Sequence, residues 1–488
     1  MRLRELALSL SSDERLPRYR RVAMAIQDAI QKGRLQPGES LPGTRALAEQ
    51  LGVNRATVIQ AIEELEAEGW LVTEPNRGTF VERRLPEPMG DGDILAGTSQ
   101  PPEPGFDLPS RLKPLTVAGD DLIDLSDGLP DTTLAPLEEL GRAYQRALLR
   151  HGDDLLRHGE PMGQGLLRTQ VAAWLSERRG LRVAPDQILI TRGSRAAFQL
   201  LAQSFCSPGD ALAVENPGNR AVWDAFQQGC PVSLVPVPVD AEGADPEAMA
   251  SSLEQNRCRA IYVTPQRQYP TTVALTPQRR RSLLELAAQH RIPIFEDDHD
   301  SDYTFGDRPL LPLASQDERG QVIYTTNLGR ILAPGIRLAC IVGPVQVMDR
   351  LARVQRNMDA QGDRVVEWAA ADLIRDGDMA RHLRKARRIY EDRMRFLAAR
   401  LRAAFDDSLE VVEPNGGLAL WLRIGPGIDP EAWMDAARIR GLVLQRPQHF
   451  YLGEPGSFTR MGFAQGDQNV LDEACRRLAA ALADLKGP

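Results

Sequence analysis

Between residues 18 and 32 apolar side chains return at helical spacing, as Tyr19, Val22, Ala23, Ile26, Ala29 and Ile30, and Gly33 supplies a stop. The pattern predicts a helix there. The stretch from Gln36 to Gly43 holds Pro37, Gly38, Pro42 and Gly43 and reads as a turn. A second helix is expected over about 44–51, carrying Leu47, Ala48 and Leu51. A third runs from Arg55 to about Glu68, capped by Asn54 and buried along Val58, Ala61, Ile62 and Leu65. Two short strands follow at 69–73 and 78–81, joined through Glu74, Pro75, Asn76 and Arg77.

After residue 84 the periodicity stops. Residues 85–120 contain seven prolines and five glycines, the composition of a linker. From about 121 onwards apolar runs at 187–191, 211–215, 260–264, 293–296, 322–325 and 338–342 alternate with helical stretches such as 195–205 and 276–290. Such alternation predicts an α/β domain on a mainly parallel sheet. Roughly 360–488 is richer in long helices, with a strand candidate at 418–422, and reads as a smaller lobe. The expected division is therefore a head at 1–84, a linker at 85–120 and a body at 121–488.

The length of 488 residues asks for more than one domain. No apolar run approaches the roughly 18 residues a membrane span needs, and the N-terminus leads into no signal-peptide core. The five cysteines, Cys206, Cys230, Cys258, Cys340 and Cys475, form no metal spacing. A cytoplasmic protein without a metal or a membrane partner is expected. The net charge of −8 gives no support to nucleic-acid binding, and residues 1–84 hold 13 basic against 12 acidic groups. Any case for DNA rests on where the charges sit.

In the head they sit unevenly. Helix, turn, helix, turn, helix and ribbon is the order of a winged helix-turn-helix, whose recognition helix meets base edges with its N-terminal residues. Here that end presents Asn54, Arg55 and Thr57, while Glu63, Glu64, Glu66 and Glu68 lie at the other end. Arg45 opens the preceding helix within reach of a phosphate, and Arg77 sits at the wing tip. Residues 33–81 resemble the GntR-type winged helix, through Gly33-Arg34-Leu35-Gln36-Pro37-Gly38, Leu41-Pro42-Gly43-Thr44-Arg45-Ala46-Leu47-Ala48, Leu51-Gly52-Val53-Asn54-Arg55-Ala56-Thr57-Val58 and Arg77-Gly78-Thr79-Phe80-Val81. That family usually has Ser where Gly43 stands.

The body resembles the fold-type-I aminotransferases, and with its head the whole chain resembles MocR/GabR-type regulators. The resemblance rests on Ile123–Asp131, on Gly159–Gly163 with Leu166-Leu167-Arg168, and on four further segments. In Ile190–Arg195 it implies that Gly193 and Ser194 hold a phosphate at a helix N-terminus. In Phe295–Asp302 it implies that Asp297 meets the pyridinium nitrogen of pyridoxal phosphate. It makes Arg337 a phosphate ligand and Arg460 the receiver of a substrate carboxylate.

Departures from that pattern fall on the chemistry. The family motif reads Ser-Lys-(Ser/Thr), then two or three residues to Pro, then Arg. This chain reads Leu328-Gly329-Arg330-Ile331-Leu332-Ala333-Pro334-Gly335-Ile336-Arg337, which puts Arg330 at the lysine's place. A Schiff base needs a neutral primary amine, and a guanidinium stays protonated with its lone pairs delocalised. Only four lysines exist, Lys32, Lys113, Lys385 and Lys486, none near these motifs. The stacking Tyr of the family is Asn219 here, the Tyr after the pyridinium Asp is His299, and the hydroxyls flanking the lysine are Gly329 and Ile331.

The expectation is a winged helix-turn-helix regulator on double-stranded promoter DNA. Its aminotransferase-like body is catalytically silent, holds no covalent cofactor, pairs head-to-tail as a homodimer and senses a small anion. A regulator binding pyridoxal phosphate noncovalently is the second reading, and an active aminotransferase the third. Arg330 is expected to fill the vacated space and meet Asp297. Asp297 and Arg337 either hold a ligand or persist as a structural ion pair or strand-end cap, and Arg460 either meets a ligand or pairs with an acidic neighbour. His299 is expected to be a hydrogen-bonded pocket residue rather than a metal ligand.

Overall fold

The first elements are α1 (Arg18–Gln31), α2 (Thr44–Leu51) and α3 (Arg55–Ala67), followed by a ribbon of β1 (Leu71–Glu74) and β2 (Gly78–Val81). This computed structural model describes residues 16–75, 77–85, 121–306 and 310–486, with Leu8, Leu10 and Phe106. Most of the expected linker, Lys113 included, lies outside the described residues, as does Asn76. Contacts divide the chain into two compact units, Met1–Pro114 and Leu115–Pro488.

In the first unit Val22, Ile26 and Ala29 of α1, Leu47 of α2 and Val58, Ala61 and Leu65 of α3 close over Leu71 and Val81 of the ribbon. The Asn54 side chain accepts the Ala56 N–H at 3.2 Å, a cap that contributes about 1 kcal/mol. Gly52 ends α2 in the left-handed region, at φ +60°, where a Cβ is costly. That turn aims α3 away from α2.

The second unit opens with β3 (Ile123–Asp124), α4 (Leu137–Leu155) and α5 (Gly165–Arg179). Then β4 (Ile188–Thr191), α6 (Ser194–Phe205), β5 (Ala211–Asn216), α7 (Arg220–Gly229), β6 (Ser233–Asp240), β7 (Gly243–Ala244), α8 (Pro246–Gln255), β8 (Cys258–Val263), α9 (Pro277–His290), β9 (Ile294–Asp298), β10 (Val322–Thr326), the short α10 (Gly329–Leu332) and β11 (Ala339–Val342) follow. They build one sheet in the order β4-β11-β10-β9-β8-β5-β6-β7. The run from β6 through β5, β8 and β9 to β10 is parallel; β11 opposes both β10 and β4, and β7 opposes β6. Long crossovers, mostly helical, join the parallel run, and its central strands β5, β8, β9 and β10 are buried on both faces.

The remainder comprises α11 (Val345–Asp359), α12 (Arg364–Arg375), α13 (Asp378–Phe405), β12 (Leu409–Val412), β13 (Ala419–Ile424), α14 (Pro430–Ile439), β14 (Leu442–Val443), β15 (Phe458–Gly462) and α15 (Gln468–Lys486). Strands β12, β13 and β15 form a small antiparallel sheet. This lobe also takes in the opening segment. Strand β3 pairs with β14, and the Gly462 N–H donates to the Leu125 carbonyl at 2.8 Å. Farther on, Tyr390 Oη accepts the Asp131 N–H at 2.8 Å and Arg393 donates to the Asp131 carboxylate at 2.9 Å. The small lobe thus draws on both ends of the body, and residues 123–131 are pinned along its seam.

The seam leaves no room at Gly462, where a Cβ would collide with the Asp127 carbonyl. Gly462→Ala should therefore lower the stability of the body by roughly 1–3 kcal/mol. Denaturant unfolding of the full chain measures this, and an unchanged midpoint would show that the seam relaxes.

Candidate functional site

Strand β9 carries alternate side chains to opposite faces. Phe295 packs in the cluster of Phe198, Phe226 and Tyr262, and Asp297 follows it on that face. The Asp297 carboxylate is fully enclosed and accepts the Tyr262 hydroxyl at 2.9 Å. Burial pushes its pKa up to about 7, against the pull of the Tyr262 hydroxyl and the Arg330 charge. On the other face Glu296 accepts the N–H groups of Leu313 and Ala314 at 2.6 and 2.8 Å. Asp298 is held by Arg179 Nε at 2.7 Å and Tyr324 Oη at 2.5 Å. These contacts fix the carboxyl end of β9, where ligands bind in parallel α/β sheets.

Past the strand end, Asp300 is buried and accepts Arg267 at 3.4 Å, while the same guanidinium holds the Asp300 carbonyl at 3.1 Å. His299 Nε2 lies 3.4 Å from the Asp300 carboxylate, and its ring meets Tyr269 edge-on. Burial, with Arg330, Arg460 and Arg267 nearby, pushes the His299 pKa down to about 4 although Asp300 opposes the shift. Its imidazole is therefore neutral near pH 7. Arg460 is 1% exposed; it donates to the Pro270 carbonyl at 2.9 Å and stacks 4.5 Å over the Tyr269 ring. Its nearest acidic partner is Asp127, 3.7 Å from Nε and outside hydrogen-bond range.

Arg330 stands on α10, whose Arg330 and Ile331 carbonyls both accept Tyr303 Oη, at 3.1 and 3.2 Å. Its guanidinium donates to the Gly128 carbonyl, and its Nε is buried without a hydrogen-bond partner among the described residues. The expected Arg330–Asp297 pair does not form. Tyr262 already satisfies Asp297, and the longer guanidinium reaches past it to the opening segment. An Asp297–Arg337 ion pair does not form either. Arg337, exposed on the surface, donates to the Arg192 carbonyl at 3.2 Å and lies over Gly193, 3.5 Å from where a Cβ would stand. Gly193 caps α6 at φ +83°, and Asn327 donates to Ser194 Oγ at 3.4 Å. Asn219 caps α7 instead, accepting the Ala221 N–H at 3.2 Å.

Asp297, His299, Arg330 and Arg460 thus share one charged neighbourhood, while Gly193, Ser194 and Arg337 form a second group at the α6 N-terminus. Sequence reading missed Tyr262, Tyr269, Arg267 and Asp300. Lys32 pairs with Asp28 in the head, and Lys385 lines a separate cavity of about 470 Å³ between α4 and α13. Among the described residues no cluster suits a metal ion, and no helix is long and apolar enough to cross a membrane.

In the head, Arg45 and Arg55 are exposed and Thr57 is half-buried. Arg55 Nε donates to Thr44 Oγ1 at 3.2 Å, tying the start of α3 to the start of α2. Glu64, near the far end of α3, pairs with Arg20 at 3.1 Å. Arg77 folds back along the wing onto Glu74 and lies 5.7 Å from the Phe80 ring centre.

The chain matches the family of class I and II aminotransferases over residues 120–478, and the gntR family of bacterial regulatory proteins over 18–81. It is 29% identical over 482 residues to the probable rhizopine catabolism regulatory protein MocR of Rhizobium meliloti, spanning 98% of this chain and 96% of that protein. Aromatic-amino-acid aminotransferase 1 of Thermococcus litoralis is 27% identical over 370 residues, 75% of this chain and 88% of that protein. The kynurenine aminotransferase structure of Pyrococcus horikoshii superposes with a TM-score of 0.70 at 26% identity, covering 76% of this chain and 92% of that one. The body has the fold-type-I aminotransferase architecture.

The raised Asp297 pKa makes a pH prediction. Between the ordinary carboxyl value and about 7, the folded chain keeps a proton that the unfolded chain releases. Stability from this group falls as pH rises through that window, by up to about 1.4 kcal/mol per pH unit. His299, depressed to about 4, acts in the opposite direction between that value and its ordinary one. Asp297→Asn keeps an acceptor for Tyr262 and removes only the falling contribution. The variant should therefore gain stability relative to the parent between about pH 5 and 7 in paired denaturation curves. A constant difference between the two would contradict a protonated Asp297.

Proposed function

Because the chain belongs to the aminotransferase class I and II family and joins that body to a gntR-family head, we propose that it is a MocR-type transcriptional regulator whose body has given up covalent cofactor chemistry. The head would bind double-stranded promoter DNA through Arg45, Asn54, Arg55 and Thr57, with Arg77 contributing once it leaves Glu74. Such a regulator works in the cytoplasm, beside the chromosome. Head-to-tail pairing of two bodies would give a homodimer with two heads for two half-sites.

The observation that carries the silence of the body is Arg330 on α10, directed at the Gly128 carbonyl. Pyridoxal phosphate is the cofactor this fold implies, and the residues fit it only in part. Asp297 suits a pyridinium nitrogen, and Gly193, Ser194 and Arg337 suit a phosphate. The amine that would bind the aldehyde is missing, since a guanidinium forms no Schiff base. The residues do not fit a covalently held cofactor, and on this reading the body carries out no transamination. The Gly193–Ser194–Arg337 group favours a second reading, in which the vitamin or another small anion binds there noncovalently as an effector.

Promoter fragments selected from random DNA test the head. Arg45→Ala and Arg55→Ala should each weaken binding in fluorescence anisotropy, and each lost phosphate contact should lower the salt slope by about 1. Unchanged affinity and slope in both variants would reject this DNA face. Pyridoxal phosphate added to the full chain should leave no visible absorption that survives dialysis and is fixed by borohydride. Such a band would overturn the silent body.

A further inference from the structure

We propose that the body carries its own contact for double-stranded DNA, a basic stripe on the first half of α13 that takes the phosphate backbone without reading bases. The proposal rests on the reading that the chain is a DNA-binding regulator, and it gives that duplex a second surface beside the head.

Five of the eight residues from Arg381 to Arg388 are basic, in a chain whose net charge is −8. Helical spacing sorts them. His382, Leu383, Ala386 and Tyr390 are buried against the body, while Arg381, Arg384, Lys385, Arg387 and Arg388 are exposed. Arg381 is paired with Asp378. Among the described residues Arg384, Lys385, Arg387 and Arg388 pair with no carboxylate. The acids around them are engaged elsewhere. Glu391 holds Arg395, and Glu138 and Glu139, which share a cavity with Lys385, meet Arg142 at 3.6 and 3.3 Å. The exposed Asp392 closes the stripe one turn beyond Arg388.

The positive face continues from α13 onto α5. Burial pushes the Arg178 pKa down against the pull of Asp302 and Glu177, and Arg179 and Arg384 push the same way. Arg384 therefore stands near Arg178, whose guanidinium lies 4.1 Å from the Trp174 ring centre. Like charges left together without counterions call for an anion from outside.

The form of the surface selects that anion. It is the outer side of a helix, and its cations are long, solvated and spaced along one axis. From Arg381 to Arg388 the helix rises about 10 Å, the axial length of about three phosphates on one strand of duplex DNA. Guanidinium groups take phosphate oxygens in pairs. Such contacts position a duplex and add affinity that depends on salt and is indifferent to sequence.

Fluorescence anisotropy of the full chain on a long duplex of arbitrary sequence, over a salt series, tests this. Arg384→Gln, Arg387→Gln and Arg388→Gln together should weaken binding by roughly tenfold at low salt and lower the salt slope by about 2 to 3. Removing three exposed arginines elsewhere on the body, by Arg257→Gln, Arg281→Gln and Arg319→Gln, should leave affinity and slope close to the parent. Thermal unfolding and sedimentation of each variant should match the parent. Equal affinity and slope in the stripe variant and the parent would overturn the proposal, and so would an equal loss in the control variant. A stripe variant with a changed oligomeric mass would assign the stripe to pairing of bodies and overturn it as well. So would a stripe variant that keeps its DNA affinity but no longer binds anionic phospholipid vesicles. If Arg45→Ala and Arg55→Ala left DNA binding unchanged while the stripe variant lost it, the head would fail and the stripe would stand.

Discussion

Burying carboxylates at the end of a parallel sheet is the constraint around which the body is organised. Glu215, Glu296, Asp297, Asp298 and Asp300 are all carried into the interior by two strands and one turn. An enclosed carboxylate is tolerated only when donors surround it or when it keeps its proton. The fold uses both solutions. Asp298 is met by Arg179 and Tyr324 and Asp300 by Arg267, while Glu296 accepts two backbone N–H groups and burial still pushes its pKa up to about 8. Asp297 and Glu215 are served mainly by neutral hydroxyls and amides, from Tyr262 in one case and from Thr264 and Gln268 in the other, and burial pushes both pKa values up to about 7. The elements that supply these donors, from α5 to the turn after β8, are thereby held at the mouth of the site.

Much of this architecture was legible because it rests on local pattern. The cap at Asn54, the buried stripe of α3 and the apolar runs of the sheet all follow from side chains a few residues apart. The eight-stranded order was not legible, nor was the reversal of β11, because apolar runs do not state their neighbours. The partners of the buried charges escaped for the same reason. Arg179 and Asp298 meet across 119 residues, and Arg330 meets Gly128 across 202. The expected Arg330–Asp297 contact was a sound electrostatic guess, defeated by a tyrosine on the neighbouring strand that reached the carboxylate first.

The two charged groups at the site differ in construction. Around Gly193 the recognition elements are backbone N–H groups, a hydroxyl and an exposed arginine, an arrangement indifferent to what the anion is attached to. In the other group Arg460 is enclosed, stacked on Tyr269 and held by the Pro270 carbonyl, while Arg330 is half-buried and donates to the Gly128 carbonyl. Selectivity belongs to the second group, because an oriented and partly desolvated guanidinium discriminates among acceptors more sharply than a solvated one.

The pairing of β3 with β14 bears on how the polypeptide is made. Asp131 waits for Tyr390, 259 residues downstream, and Ile123 for Leu442. Closing such long loops is slow, and it has to await the distal segment during synthesis. The winged head, whose core is built from residues between Val22 and Val81, is complete long before the ribosome has delivered the residues that seal the body. A nascent chain therefore exposes a finished DNA-reading module ahead of the lobe that would govern it.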